Sequence, residues 1–191
     1  MDVPSDAALV IVDVQNDFCP GGALAVPTGD QVVPAINRLI EAFQRSGRPI
    51  IASRDWHPAR TKHFTTDGGS WPPHCVAGTA GAAFHPSLTL PSGAVIVQKG
   101  AGAHEDAYSA FDATLPDGTP LEAILRRENV RYVVVAGLAT DYCVRATVLD
   151  ARRSGFGVTV VREAIRGVNL RAGDSERAID DMRAAGAIIT T

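Results

Sequence analysis

Four polar residues follow short apolar runs and carry the side chains that covalent catalysis requires. Asp13, Asp55 and Lys99 stand at the ends of such runs, and Cys143 follows another. A thiol can act as a nucleophile, a carboxylate as its base, and an ammonium as a stabiliser of negative charge. Taken singly, Asp13 could cap a loop and Cys143 could be a small core residue. Because ligands bind beyond the carboxyl ends of parallel strands, the four together predict one catalytic site.

Cys143 has a predicted position that favours a reactive thiolate. We expect a helix to begin near Thr140, which places Cys143 in its first turn, where the helix dipole and free N–H groups stabilise an anion. A neighbouring Lys99 would stabilise the thiolate further, and Asp13 could take the thiol proton. The other two cysteines lack such neighbours and are predicted to be packing residues: Cys19 and Cys75.

A second cluster has the composition of a metal site. Three of the five histidines lie close together after an aspartate, and the candidate ligands are Asp55, His57, His63 and His74. Imidazoles with a carboxylate suit Zn²⁺, Fe²⁺ or Mn²⁺. The spacing matches no zinc finger, which predicts a site with open positions for water or substrate. The alternative is a loop with surface histidines. His85 and His104 fall outside the cluster and are expected to be structural.

The elements that must position these residues alternate between strand and helix patterns. Short apolar runs predict strands at 7–14, 49–54, 94–98, 131–137, 158–161 and 187–190. Apolar residues three or four apart predict helices at 30–46, 141–154 and 174–185. A further helix through Arg127 is predicted from a capping box, with Thr119 as N-cap, Pro120 at the first helical position and Glu122 at the third. We therefore expect one α/β domain over 1–191, a three-layer α/β/α arrangement with a parallel sheet of about six strands.

Composition excludes several other classes of protein. The 191 residues are 46% hydrophobic and 20% charged, which is typical of a globular domain. The net charge is −3 and the arginines are scattered, so neither a nucleic-acid tract nor a membrane-surface patch is expected. Three cysteines are too few for a disulfide framework, which predicts a cytoplasmic protein. A homo-oligomer remains open.

Seven short motifs carry a family resemblance. They are 13–22 (DVQNDFCPGG), 55–58 (DWHP), 63–64 (HF), 71–75 (WPPHC), 99–100 (KG), 108–111 (YSAF) and 137–144 (GLATDYCV). In this order, and spread over nearly the whole chain, they resemble the nicotinamidase/pyrazinamidase group of the isochorismatase-like cysteine hydrolases. Each motif alone is modest evidence, whereas the ordered set is specific.

The resemblance implies roles for individual residues. It implies a catalytic triad of Asp13, Lys99 and Cys143. It implies metal ligation by Asp55, His57 and His74, and by His63, which matches a ligand found in only part of the family. It also implies a cis peptide between Leu138 and Ala139, with an oxyanion hole formed by the backbone N–H groups of Ala139 and Cys143. The implied substrate pocket is lined by Phe18, Trp71 and Tyr108.

The activity implied by the resemblance is hydrolysis of a small aromatic amide. Nicotinamide, and pyrazinamide with it, would be converted to the acid and ammonia through a cysteine thioester. One divalent metal ion is expected, Zn²⁺ ahead of Fe²⁺ or Mn²⁺. Three alternatives stay open at this point: another amidase of the same family, an isochorismate hydrolase, and a non-catalytic binding module. The metal-ligand set argues against the second and the triad against the third.

Overall fold

Six parallel strands form one sheet in the computed structural model, which describes residues 3–102 and 105–190. In chain order the strands are β1 (Ala7–Val12), β2 (Ile50–Asp55), β3 (Val95–Lys99), β4 (Tyr132–Leu138), β5 (Gly157–Arg166) and β6 (Ile188–Thr190). The α-helices are α1 (Val33–Arg45), α2 (Leu121–Arg127), α3 (Arg145–Arg153) and α4 (Asp174–Ala184). The predicted alternation and strand number are confirmed. His104 lies outside the described residues.

The strand order places a topological switch point at the centre of the sheet. The order is β3-β2-β1-β4-β5-β6, and every neighbouring pair is parallel. From β1 the chain winds outward through β2 and β3, then returns to the other side of β1 and winds outward through β5 and β6. Ligands of such sheets bind at the carboxyl ends of the strands where the winding reverses. The crevice between β1 and β4 is therefore the expected site.

The helices cover both faces of the sheet because β1 is apolar on both. Leu9 and Ile11 pack in one core cluster with α1, whereas Ala8, Val10 and Val12 pack in the other with α2, α3 and α4. Because crossovers between parallel strands are right-handed, the direction in which the chain winds decides which face a helix covers. This explains why α1 lies on one face and α2, α3 and α4 lie on the other. The three-layer α/β/α prediction is confirmed. None of the described helices is long and apolar enough to cross a membrane.

Some element boundaries differ from those predicted. The capping box is wrong: α2 begins at Leu121, and Pro120 is the extended N-cap without a side-chain cap. The Thr119 carbonyl instead accepts a hydrogen bond from the Leu115 N–H, so the tertiary turn decides the helix start. A 3₁₀ turn over Gly29–Val32 precedes α1, and β5 is longer than predicted.

Candidate active site

Three strand ends bring the predicted triad together in the core. Asp13 follows β1, Lys99 ends β3, and Cys143 follows β4. Lys99 Nζ lies 2.9 Å from Asp13 Oδ2 and 3.7 Å from Cys143 Sγ. All three residues are buried. The sequence-based grouping of acid, ammonium and thiol is therefore present in the structure.

Asp13 is fixed by its backbone and by a neighbour. Its φ of 49° lies in the left-handed region, which turns the chain sharply after β1. The Ser53 hydroxyl donates to Asp13 Oδ1 at 2.8 Å. Among the described residues, Asp13 Oδ2 accepts no hydrogen bond of good geometry, and its contact with Lys99 is an ion pair. Oδ2 is thus the oxygen that remains open for a proton.

A glycine allows the ends of β1 and β4 to approach each other. Gly137 has a φ of +126°, and a Cβ there would lie 2.0 Å from the Val12 carbonyl oxygen. Any other residue would push the strands apart just before Asp13 and the segment that carries Cys143. Gly137 therefore allows the close approach of β1 and β4, the strands that Asp13 and Cys143 follow.

The segment after β4 differs from the predicted helix start. Thr140–Val144 forms a π-helical turn before α3, and Cys143 lies within this turn. The Tyr142 and Val144 N–H groups both donate to the Ala139 carbonyl at 3.1 Å. The Leu138–Ala139 peptide is cis, as the resemblance implied. Cys143 thus sits on an irregular turn of the kind often found at functional sites.

Burial dominates the electrostatics of Cys143. Burial raises the pKa of Cys143 well above its usual value, and Lys99 offsets this only in part. Burial also raises the pKa of Asp13, whereas the pKa of Lys99 is raised because Asp13 and Asp55 outweigh its burial. Two carboxylates, those of Asp13 and Asp55, share the one ammonium beside the sulfur. The raised pKa of Cys143 favours the thiol over the thiolate, which agrees with the expectation that Asp13 takes the thiol proton.

The three clustered histidines turn the same way. Their Nδ1 atoms each donate outward: His57 to the Gly100 carbonyl at 2.8 Å, His63 to Asp106 Oδ1 at 2.9 Å, and His74 to the Pro72 carbonyl at 2.7 Å. One ligand atom from each ring lies within 4.8 Å of the others. Outward hydrogen bonds fix the rings and leave Nε2 to converge, which is the usual arrangement of histidine metal ligands.

Asp55 lies between the triad and the histidines. One of its oxygens contacts Lys99, and the other lies 3.7 Å from His57 Nε2 and 3.9 Å from His74 Nε2. Burial opposes its ionisation, but Lys99 and His57 prevail and hold its pKa below the usual value. Asp55 is therefore an anion that faces both groups.

The donor set fits a divalent metal ion. His57 Nε2 is buried and has no hydrogen-bond partner among the described residues, which is costly unless another group engages it. Burial lowers the pKa of His74, so its imidazole stays neutral, as a ligand must be. The four candidate ligands are all buried. Imidazole and carboxylate donors of this kind suit Zn²⁺ and its neighbours among the transition metals.

Sequence reasoning missed a residue that holds Asp55. Gln15 is fully buried; its amide nitrogen donates to the carbonyls of Asp55 at 2.8 Å and Ala82 at 2.9 Å. Its amide oxygen accepts from the Asp55 N–H at 2.8 Å. The sequence did contain a signal, because Gln15 comes just after a buried strand. A buried glutamine needs hydrogen-bond partners for both its amide nitrogen and its amide oxygen.

Aromatic side chains enclose the cavity that opens onto Cys143. The empty space between these side chains is about 430 Å³, part of which is open to solvent. Its wall contains the three predicted pocket residues, Phe18, Trp71 and Tyr108, together with Asp55, His63 and His74. Trp71 Nε1 donates to the Tyr108 hydroxyl at 2.9 Å. Tyr142 also lines the cavity and was missed, although its place beside Cys143 was a signal.

Comparison with known proteins decides the family. A model of the isochorismatase domain matches residues 7–191. The chain belongs to the isochorismatase family. The nicotinamidase of Escherichia coli (strain K12) is 44% identical over 200 residues, which cover 96% of this chain and 94% of that protein. The family resemblance that the motifs carried is confirmed.

Solved structures of isochorismatase-family proteins share the fold over almost their whole length. Pyrazinamidase of Pyrococcus horikoshii in complex with zinc has a TM-score of 0.89 and 45% identity, with coverage of 97% of this chain and 99% of that one. PnC1 of L. infantum in complex with nicotinate has a TM-score of 0.88 and 34% identity, with coverage of 100% and 96%. The isochorismatase-like fold prediction is confirmed.

Proposed function

We propose that this protein is a nicotinamidase, which hydrolyses nicotinamide, and pyrazinamide with it, to the acid and ammonia. One observation carries the proposal: Cys143 lines the same aromatic cavity as His63 and His74, two of the three clustered histidines. A flat ring fits between aromatic walls, with its nitrogen toward the histidines and its carboxamide toward the sulfur. Similarity to a nicotinamidase along almost the entire chain supports the same activity.

The first half of the reaction forms a thioester. Asp13 Oδ2 takes the Cys143 proton as the sulfur attacks the carboxamide carbon, because the resting thiol is a poor nucleophile. The raised pKa of Asp13, which burial causes, makes this carboxylate a stronger base. Lys99 Nζ, 3.7 Å from the sulfur, offsets the developing charge. Asp13 then gives the proton to the leaving nitrogen as the C–N bond breaks and ammonia departs.

The second half hydrolyses the thioester. Asp13 takes a proton from an attacking water, the C–S bond breaks, and Cys143 recovers its proton as the acid is released. In both halves the backbone N–H groups of Ala139 and Cys143 hold the oxyanion of the tetrahedral intermediate. Loss of one donor of this kind typically slows a reaction by about 10²–10³-fold.

The metal site supports positioning of the ring. We assign one divalent ion to His57, His63 and His74, with Asp55 as the carboxylate ligand, and zinc in a similar pyrazinamidase makes Zn²⁺ the first candidate. When bound, this ion supplies a Lewis-acid contact for the pyridine nitrogen. Phe18, Trp71 and Tyr108 exclude water and hold the ring in one orientation.

The cysteines support a cytoplasmic location for this activity. Cys19, Cys75 and Cys143 are all free and buried. Free cysteines are typical of a reducing compartment. We propose a small aromatic amide as the partner of this site.

Ammonia release tests the proposed function. Wild-type protein loaded with Zn²⁺ is assayed with nicotinamide, pyrazinamide, benzamide and isochorismate. We expect nicotinamide and pyrazinamide to be hydrolysed, and benzamide to be poor because it lacks the ring nitrogen. Cleavage of isochorismate without hydrolysis of nicotinamide would refute the proposal.

Two cysteine variants test the mechanism. Cys143→Ala should abolish ammonia release yet still bind nicotinamide, because the aromatic walls and the histidines remain. Cys19→Ala is the matched control, since Cys19 is also a buried free cysteine and lies outside the cavity wall. Turnover by Cys143→Ala within tenfold of wild type would rule out the thioester.

A further inference from the structure

Tyr142 separates the catalytic cavity from a second hollow. On one side its ring lines the cavity with Cys143 and Trp71. On the other side it lines an open groove with Arg145 and Leu170, whose empty volume is about 850 Å³, much of it open to solvent. Within the described part of the chain, Tyr142 is the residue that the two linings share. The Tyr142 side chain thus borders both the cavity and the groove.

Neighbouring rings hold Tyr142 in this position. Its ring packs edge-on against Trp71, with centroids 5.1 Å apart and an interplanar angle of 82°. It also packs against Tyr108 at 5.7 Å. The Tyr142 N–H donates to the Ala139 carbonyl at 3.1 Å, within the π-helical turn. Backbone and ring are therefore both fixed, as a wall requires.

A short loop completes the wall beside Tyr142. Asp141 accepts hydrogen bonds from the N–H groups of Val168 at 2.9 Å and Asn169 at 2.7 Å. Val168 lines the catalytic cavity, and Leu170 of the same loop lines the groove. The loop is thus attached at Val168 to the residue that precedes Tyr142, and Val168 and Tyr142 together form the partition, whereas Leu170 lies in the groove alone.

We infer that Tyr142 is a specificity-determining residue. Its side chain excludes amides whose aromatic ring carries a substituent on the side that faces the groove. This inference rests on the proposed function. Removal of the ring would join the cavity to a groove whose lining is largely charged, with arginines and aspartates around Leu170. The joined space would accept a ring that carries a short polar arm.

Selectivity measurements test this inference. Ammonia release is measured for nicotinamide and for nicotinamides with a methyl or a hydroxyethoxy group on ring carbon 5 or 6. For each substituted amide, kcat/KM is divided by the kcat/KM of nicotinamide. In Tyr142→Ala we expect this ratio to rise by about tenfold or more for at least one substituted amide, because a gain or loss of pocket space the size of a few atoms changes discrimination to that extent. Tyr142→Phe keeps the ring and should retain the wild-type ratio. Leu170→Ala, in the groove alone, is the control that leaves hydrolysis unchanged.

Alkylation of Cys143 tests the partition without turnover. The ratio of alkylation rates with N-phenylmaleimide and with iodoacetamide should rise about tenfold in Tyr142→Ala and stay unchanged in Leu170→Ala. Tyr142→Leu replaces the alanine variant if that protein does not fold. Unchanged selectivity and alkylation ratios in a folded variant would overturn the inference. A wild-type protein that leaves nicotinamide intact refutes the proposed function alone, because the alkylation ratio still measures the partition.

Discussion

Replacement of Lys99 with methionine should slow the chemistry of Cys143 at every stage. The ammonium is the one positive group of the triad and lies 3.7 Å from the sulfur. At an effective dielectric constant near 20, Coulomb's law gives about 4 kcal/mol for two unit charges at this separation. At about 1.4 kcal/mol per factor of ten, this corresponds to about a 10³-fold loss of thiolate.

The remaining carboxylates reduce this figure. Without Lys99, Asp13 and Asp55 face each other uncompensated, and one of them takes up a proton, which removes a negative charge near the sulfur. We therefore expect about a 10²–10³-fold fall in the rate of Cys143 alkylation by iodoacetamide at pH 8. Ammonia release should fall at least as far, because a protonated Asp13 can no longer accept the thiol proton.

The assay separates charge from structure. Alkylation mapped by mass spectrometry and ammonia release are compared in Lys99→Met, Lys99→Arg and Lys62→Met. Lys62 is the only other lysine in the sequence and is exposed, so Lys62→Met is the control. Lys99→Arg keeps the charge and should recover part of the alkylation rate. Lys62→Met should match wild type. A folded Lys99→Met protein that is alkylated within tenfold of the wild-type rate would refute the reasoning.

Three further outcomes are expected. Asp106→Asn should weaken Zn²⁺ binding by about tenfold in chelator competition, because His63 loses the carboxylate that orients it; unchanged affinity would contradict this role. Gln15→Met should lower the free energy of unfolding in urea by about 2–4 kcal/mol, because buried backbone groups of Asp55 lose their partners; a loss below about 0.5 kcal/mol would count against it. Burial raises the pKa of Cys19 from 9.0 to about 11, so native stability should fall as pH rises from 9 to 11. The raised pKa values of Cys75 and Cys143 act in the same direction, so Cys19→Ala should make that slope shallower without removing it in thermal unfolding measured across this pH range. An equal slope in both proteins would show that Cys19 is not the cause.

The strand ends could be predicted because their signal is local. A buried parallel strand is an unbroken apolar run, so the first polar residue after it marks the carboxyl edge of the sheet. This is why Asp13 and Lys99 were placed correctly without contacts. The carboxyl ends of parallel strands meet at one edge of the sheet, which predicts that such residues meet, although the strand order itself was not predicted.

The residues that were missed depend on contacts between distant segments. Gln15 acts on Asp55, forty positions along the chain, and Asp106 acts on His63 from another loop. The hydrophobic periodicity of the sequence does not predict contacts between such distant residues. Tyr142 had a local signal beside Cys143, but its two-sided exposure depends on where the loop with Leu170 folds. The contact of Lys99 with both Asp13 and Asp55 was missed for the same reason, since only the structure shows two carboxylates sharing one lysine.

Asp55 connects the two halves of the site electrostatically. One oxygen contacts Lys99 and the other faces the Nε2 atoms of His57 and His74. A positive group on the histidine side would attract part of the negative charge of Asp55. Asp55 would then neutralise less of the Lys99 charge, and the ammonium would stabilise a thiolate at Cys143 Sγ more strongly. The acidity of the Cys143 thiol therefore depends on the histidine loop as well as on Asp13 and Lys99. A substitution in that loop should change the alkylation rate of Cys143 even where the triad geometry is intact.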